Sequence, residues 1–133
     1  MNTLTGKITS IKSNEHMSII DMETSGGMIK TVIIETPRTA SFLRIGSPVS
    51  IMFKESEVSI AKNFSGMISL QNKLSCNIKE IIKGSLLSRI VLNCMGNIIS
   101  SVITTAAVEQ LDLKENDEVT ALVKTNEIII APL

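Results

Sequence analysis

The feature that most constrains this chain is an internal repeat. Sliding the sequence by 70 residues aligns 4–61 with 74–131 without a gap, and 15 aligned pairs are identical. Most are apolar, among them Leu4/Leu74, Ile8/Ile78, Ile20/Ile90, Ile29/Ile99, Val49/Val119 and Ile60/Ile130, as a shared core requires. The pair Lys54/Lys124 is of another kind, because lysine seldom packs in a core. It sits at the same place in "KESEVSIA" and "KTNEIIIA".

Within each copy the apolar period is mostly two. "SPVSIMFK" puts Val49, Ile51 and Phe53 on one face and Ser50, Met52 and Lys54 on the other; "DEVTALVK" repeats this with Val119, Ala121 and Val123. Such alternation predicts half-buried strands. Gly26-Gly27 and Gly96-Asn97 lie between alternating runs and predict hairpins. "TPRTASFL" and "TAAVEQL" each predict a short helix, with Thr36 and Thr105 as N-caps and Pro37 at the first helical position. Gly46 and Asn116 suit a left-handed turn before the next strand.

The expected fold is all-β: two tandem OB-like five-stranded barrels, each with one short helix. The domain boundaries implied are 1–63 and 64–133. The two copies are expected to fold with matching topology, joined or swapped through 62–73. That segment, "KNFSGMISLQNK", carries Phe64, Met67 and Ile68 and is expected to add an edge strand to a neighbouring barrel. A unit this small buries little apolar surface alone, and a hydrophobic content of 44% points to surface hidden between subunits.

Several function classes are poorly supported. Lys plus Arg is 13 and Asp plus Glu is 13, so the chain lacks the basic field that drives nucleic-acid or membrane-surface binding. Three phenylalanines with no Tyr or Trp leave few platforms for stacking bases. No stretch is long and apolar enough to span a bilayer and no signal peptide opens the chain, so the expected location is the cytoplasm. Cys76 and Cys94 are expected to be reduced, buried thiols, and His16 a surface loop residue. No nucleophile–base or carboxylate pair is evident, so the chain is not expected to be an enzyme.

With the repeat, the "VTALVK" ending and the preceding "SLQNKL", the sequence resembles the molbindin family, whose units are called Mop or TOBE domains. The similarity spans nearly the whole chain and is strongest in the second copy. It implies an OB-like barrel, trimeric assembly, and molybdate or tungstate held between domains for storage, homeostasis or sensing. No organic cofactor and no metal other than the oxyanion's own are implied.

The family's opening motif is Ser-Ala-Arg-Asn-Gln; this chain has Ser69-Leu70-Gln71-Asn72-Lys73, so Ser69 and Asn72 match and Gln71 stands where the family has arginine. Asn2 aligns with Asn72 in the first copy. The family's lysine maps on Lys54 and Lys124, and the small residue after it becomes Glu55 and Thr125. At the family's helix-start serine stand Pro37 and Ala107, with Thr36, Thr104 and Thr105 nearby. The implied oxyanion-binding set is Ser69, Gln71, Asn72, Lys73, Lys124 and Thr125, with Lys54 and Ser56 in the first copy.

Elementary chemistry agrees with such a site. A tetrahedral dianion needs several converging N–H and O–H donors and one or two cations to offset its desolvation. Lysine supplies a compact charge without a planar constraint. Repeated lysines either solvate two strand ends or sit where barrels meet around an anion. The expected function is binding of molybdate or tungstate without conversion, by a cytoplasmic homotrimer. The alternative is a ligand-responsive regulatory or interaction module whose oxyanion site has weakened.

Overall fold

Period-two alternation becomes strand throughout. In β1 (Asn2–Ser13), Asn2, Leu4, Gly6 and Ile8 are buried while Thr3, Thr5 and Lys7 are exposed. The computed structural model describes residues 1–133, and nine further strands follow: β2 (Ser18–Thr24), β3 (Gly27–Ile33), β4 (Pro48–Phe53), β5 (Ser59–Ala61), β6 (Asn72–Lys83), β7 (Leu87–Cys94), β8 (Asn97–Thr104), β9 (Glu118–Val123) and β10 (Ile129–Pro132). The single α-helix, α1 (Thr105–Gln110), precedes β9.

Turn chemistry places the strands as expected. The β2–β3 hairpin closes at Gly27 with φ +123°, and the β7–β8 hairpin at Met95 and Gly96 with φ +53° and +95°, the left-handed pair a tight hairpin requires. Gly46 and Asn116 are left-handed before β4 and β9. Each long strand carries an irregularity at the same place, between Ile8 and Ser10 in β1 and between Ile78 and Glu80 in β6. A bulge bends its strand and increases twist. β1 therefore pairs with β4 through Asn2–Lys7 and with β2 through Lys7–Ser13. β6 divides itself in the same way between β9 and β7.

The strands form two antiparallel five-stranded sheets, ordered β10-β4-β1-β2-β3 and β5-β9-β6-β7-β8. The last strand of each copy has changed places. β5 pairs with β9 (Ile60 opposite Ala121), and β10 pairs with β4 (Ile130 opposite Ile51). Each sheet is thus completed by a strand from the other repeat. The buried apolar residues of both copies, from Leu4, Ile8 and Phe53 to Ile90, Leu113 and Ile128, form one continuous cluster. A shared core answers the shortage of burial that each small unit would face alone.

Four expectations are corrected. The first copy has no helix: 37–39 form a turn, in which the Thr39 hydroxyl donates to Thr36 O at 3.2 Å and accepts from Thr36 N at 2.9 Å. Side chains that bond nearby backbone compete with helix formation. In the second copy the N-cap is Thr104, which accepts from Ala107 N at 3.1 Å, while the Thr105 hydroxyl points to Gly84 O at 2.8 Å. The segment 62–71 adds no edge strand: the sheet edges are β10 and β3 in one sheet and β5 and β8 in the other.

The fourth correction is that Cys76 and Cys94 are joined in a disulfide, with Cα atoms 4.2 Å apart. They stand opposite each other one step beyond the Asn77–Asn93 pair of the β6–β7 ladder, both buried. Gly6 and Thr24 hold those places in the first copy. A Cβ added at Gly6 would lie 2.7 Å from Ile51 Cδ1 and 3.0 Å from Glu23 O, so a side chain there would require its neighbours to shift.

The connection after β5 is tied down by charge. Lys62 Nζ lies 2.9 Å from Asp117 Oδ2 and donates to Asp112 O at 2.6 Å. Asp117 also accepts from Lys114 N at 2.9 Å. The Lys62 ammonium, followed by the Lys114 amide, holds the Asp117 carboxyl below its ordinary value of 3.8.

Candidate functional site: two lysine turns at the sheet exchange

Lys54 and Lys124 occupy the two places where the chain leaves one sheet for the other. Each follows a buried strand end, Phe53 or Val123, and each is extended, with φ/ψ of −72°/146° and −70°/143°. A single 3-10 turn follows, Glu55–Glu57 or Thr125–Glu127. Glu57 N donates to Lys54 O and Glu127 N to Lys124 O, both at 3.0 Å. Both lysine side chains are exposed.

Residues of the opposite repeat pin each turn. The Ser101 hydroxyl on β8 donates to Val58 O at 2.7 Å, and the aligned Thr31 hydroxyl on β3 donates to Ile128 O at 2.8 Å. Beside each turn an asparagine bridges the sheets. Asn72 Nδ2 donates to Lys30 O at 2.8 Å while Lys30 N donates to Asn72 Oδ1 at 2.7 Å. Asn2 makes the same pair with Ser100, both bonds at 2.8 Å. Asn72 pairs with Val123 and Asn2 with Phe53, so each asparagine faces the residue before a lysine.

The placement of the expected residues follows from strand alternation. Gln71 and Lys73 flank buried Asn72 and are exposed on the opposite face. Extending the β6–β9 register by one step puts Gln71 opposite Lys124. Lys124, Gln71 and Lys73 thus share an outer face, while the Asn72 amide is engaged with the Lys30 backbone. Thr125 is half-buried in the turn, and Ser69 is exposed in the segment leading to β6. In the first copy Lys54 and Ser56 are exposed and Glu55 is half-buried.

Sequence reasoning missed the contributions of the other repeat. Thr31, Ser101 and Arg89 reach the turns from the opposite repeat, and Lys30 and Ser100 bond the asparagines beside them. Lys30 carries a second link, from its Nζ to Asp21 Oδ1 at 2.8 Å. Arg89 Nη1 lies 2.6 Å from Glu55 Oε2, and the amino group of Met1 lies 3.4 Å from Glu55 Oε1. The partners are 42 and 98 residues apart for the two asparagine bridges, beyond any local motif. No group of three or more His, Cys, Asp or Glu is arranged to hold a metal ion. A depression of about 570 Å3 on the outer face of the second sheet, lined by Phe64, Ser75, Asn77, Asn93, Glu118 and Thr120, contains neither lysine.

Two curled five-stranded sheets, each closed by the other's last strand, define a tandem OB-like β protein with paired lysine turns at its seam. The TOBE-domain profile matches residues 68–130. Molybdenum-pterin-binding proteins 1 and 2 of Clostridium pasteurianum are 36% and 38% identical over 64 residues, which is 47% of this chain and 94% of each relative. MopB of Rhodobacter capsulatus, another molybdenum-pterin-binding protein, is 30% identical over 129 residues, 94% of this chain; the chain spans only 47% of MopB. Among solved structures, the cytoplasmic molybdate-binding protein ModG with molybdate bound superimposes with a TM-score of 0.92 at 26% identity, covering 99% of this chain and 96% of ModG. The chain belongs to the molbindin family, with two Mop/TOBE-like domains in tandem.

Proposed function

We propose that this protein binds molybdate or tungstate as the intact oxyanion, for storage or homeostasis, and does not convert it chemically. The observation that carries the reading is the likeness, over almost the full length of both chains, to ModG in its molybdate-bound form. The relatives named above are binding proteins, which supports a non-enzymatic role. In this reading 1–63 and 64–133 are the two domains. Lys124 supplies charge at one junction, with Thr125, Ser69, Gln71 and Lys73 as further donors and Asn72 holding the opposing strand in place. Lys54 and Ser56 serve the other junction.

The same reading makes the protein a cytoplasmic homotrimer. Ile34 and Leu86, in the bends at the end of β3 and the start of β7, and Leu87 on β7 are 84%, 79% and 57% exposed, which supports burial against further copies. No helix is long and apolar enough to cross a membrane. Light scattering at micromolar concentration is expected to give the mass of three chains; a stable single-chain mass would overturn the trimer.

Titration calorimetry tests the ligand. Saturable heats with molybdate and tungstate, and a weaker response to sulfate, are expected. Gln71 and Glu55 favour a second reading, a regulatory or interaction module with a weakened oxyanion site. Absence of saturable heat with all three anions would reject the first reading for the second.

A further inference from the structure

The two lysine turns are alike in backbone and unlike in charge. After Lys124 comes the neutral Thr125; after Lys54 comes Glu55, whose side chain is 21% exposed. Facing Glu55 from β7, which belongs to the other repeat, is Arg89; its aligned residue in the first copy is Ile19. Both changes fall at the same junction, and they are complementary in sign.

Their contact is close but not directional. Arg89 Nη1 is 2.6 Å from Glu55 Oε2, yet that buried oxygen accepts no hydrogen bond of acceptable geometry. The distance and the missing bond describe one contact, and we take it as a charge pair held by proximity rather than by alignment. A bidentate carboxylate–guanidinium fork would be harder to displace. Arg89 keeps 48% of its side chain exposed, so its other N–H groups remain open to solvent.

We propose that Glu55 is a resident carboxylate filling the anion position of the Lys54 junction, and that Arg89 is the guanidinium an oxyanion engages there once that carboxylate is removed. The inference rests on the oxyanion-binding reading above. Glu55 meets two cations, the Arg89 guanidinium at 2.6 Å and the Met1 amino group at 3.4 Å; a tetrahedral dianion would present the same kind of oxygen to them, and the like charges of carboxylate and dianion exclude each other. Arginine suits the role because its planar fork matches oxyanion geometry, and neither Gln71 nor Met1, at the start of each copy, supplies a guanidinium. The Lys124 junction is therefore open and the Lys54 junction self-occupied. One chain then carries two unequal positions built on one backbone plan.

The test titrates molybdate into the wild type, E55T (which copies Thr125) and the double variant E55T/R89A, read by calorimetry and by the Arg89 side-chain N–H resonance. E55T is expected to bind one additional oxyanion at the Lys54 junction, or to gain about tenfold in affinity there, the scale of one charge-assisted hydrogen bond. The Arg89 resonance should move with that added binding, and E55T/R89A should lose the gain. Where E55T does not fold by thermal melting, the isosteric E55Q takes its place. No gain in E55T, or a gain that survives removal of Arg89, overturns the proposal. Wild type that binds molybdate beside an unimproved E55T defeats this inference alone. Wild type that binds none beside an Arg89-dependent gain in E55T defeats the functional reading and leaves this one standing.

Discussion

Asn72 holds Lys30 by both its backbone N–H and its backbone C=O, with bonds of 2.7 and 2.8 Å between a side-chain amide of the second repeat and an edge strand of the first. The primary amide does for β3 what a sixth strand would do, giving an edge N–H and C=O their partners. Asn2 repeats the arrangement on Ser100. The lysine turns sit beside these two bridges, so the geometry of the candidate site depends on them.

Asn72→Ala should accordingly destabilise the fold. It leaves the Lys30 N–H and C=O without partners in a site where Asn72 itself is 2% exposed. The expected loss is about 1–3 kcal/mol, the cost of orphaning buried polar groups. Urea unfolding measures it, and Asn2→Ala should give a loss of similar size.

Lys124→Ala should weaken molybdate binding more than Lys54→Ala does. Removing Lys124 deletes a charge-assisted hydrogen bond worth about 1.5–3 kcal/mol, roughly tenfold or more in affinity. Lys54 stands next to Glu55, so its removal should cost less. Both side chains are exposed, and neither change should shift the melting temperature appreciably. Calorimetric affinities of the two variants decide the comparison; equal, negligible losses would return both lysines to ordinary solvated charges.

Stability should fall on acidification partly through Asp117. Its folded carboxyl is held below the ordinary value of 3.8 by Lys62 first and by the Lys114 amide second. A depressed carboxyl stabilises the fold above its unfolded value, and that contribution disappears as pH drops through the lower folded value. Asp117→Asn should therefore melt lower than wild type near neutral pH, with the two curves converging in strong acid. Melting temperature against pH, for the two proteins side by side, checks the sign.

Reduction of the Cys76–Cys94 bridge should lower stability. The cysteines are 18 residues apart, and closing a loop of that size is worth about 3 kcal/mol in the chain-entropy account. Urea unfolding with and without a strong reductant measures the difference. Both residues are buried, so reduction should require partial unfolding and proceed slowly in the native protein.

Much of this was legible in the sequence, and the missing parts have physical reasons. The alternation of Val49, Ile51 and Phe53 gave strand β4 and its buried face directly, and all three are 0% exposed. The Lys54/Lys124 pair marked the turns that became the candidate site. The strand exchange stood in the sequence only as one of two arrangements, joined or swapped through 62–73, because Ser59-Ile60-Ala61 and Ile129-Ile130-Ala131 present nearly the same pattern to either sheet. The helix expected after Thr36 failed because the Thr39 hydroxyl bonds both the N–H and the C=O of Thr36. The disulfide was missed because cysteine spacing alone does not report which strands are neighbours. Arg89 and Lys30 were missed for the same reason: their partners belong to the other repeat.

The exchange of β5 and β10 also removes the freedom the two repeats would otherwise have to drift apart. A change in Ile60 is felt by the second sheet, and a change in Ile130 by the first, since each of these strands hydrogen-bonds in the other half's sheet. The duplicated halves are thus hostages to one another: neither can be cut away, replaced or redesigned as a cassette without taking a strand from its neighbour. Their shared inheritance is enforced by topology, and a break in the backbone between them would still leave two pieces clasped together.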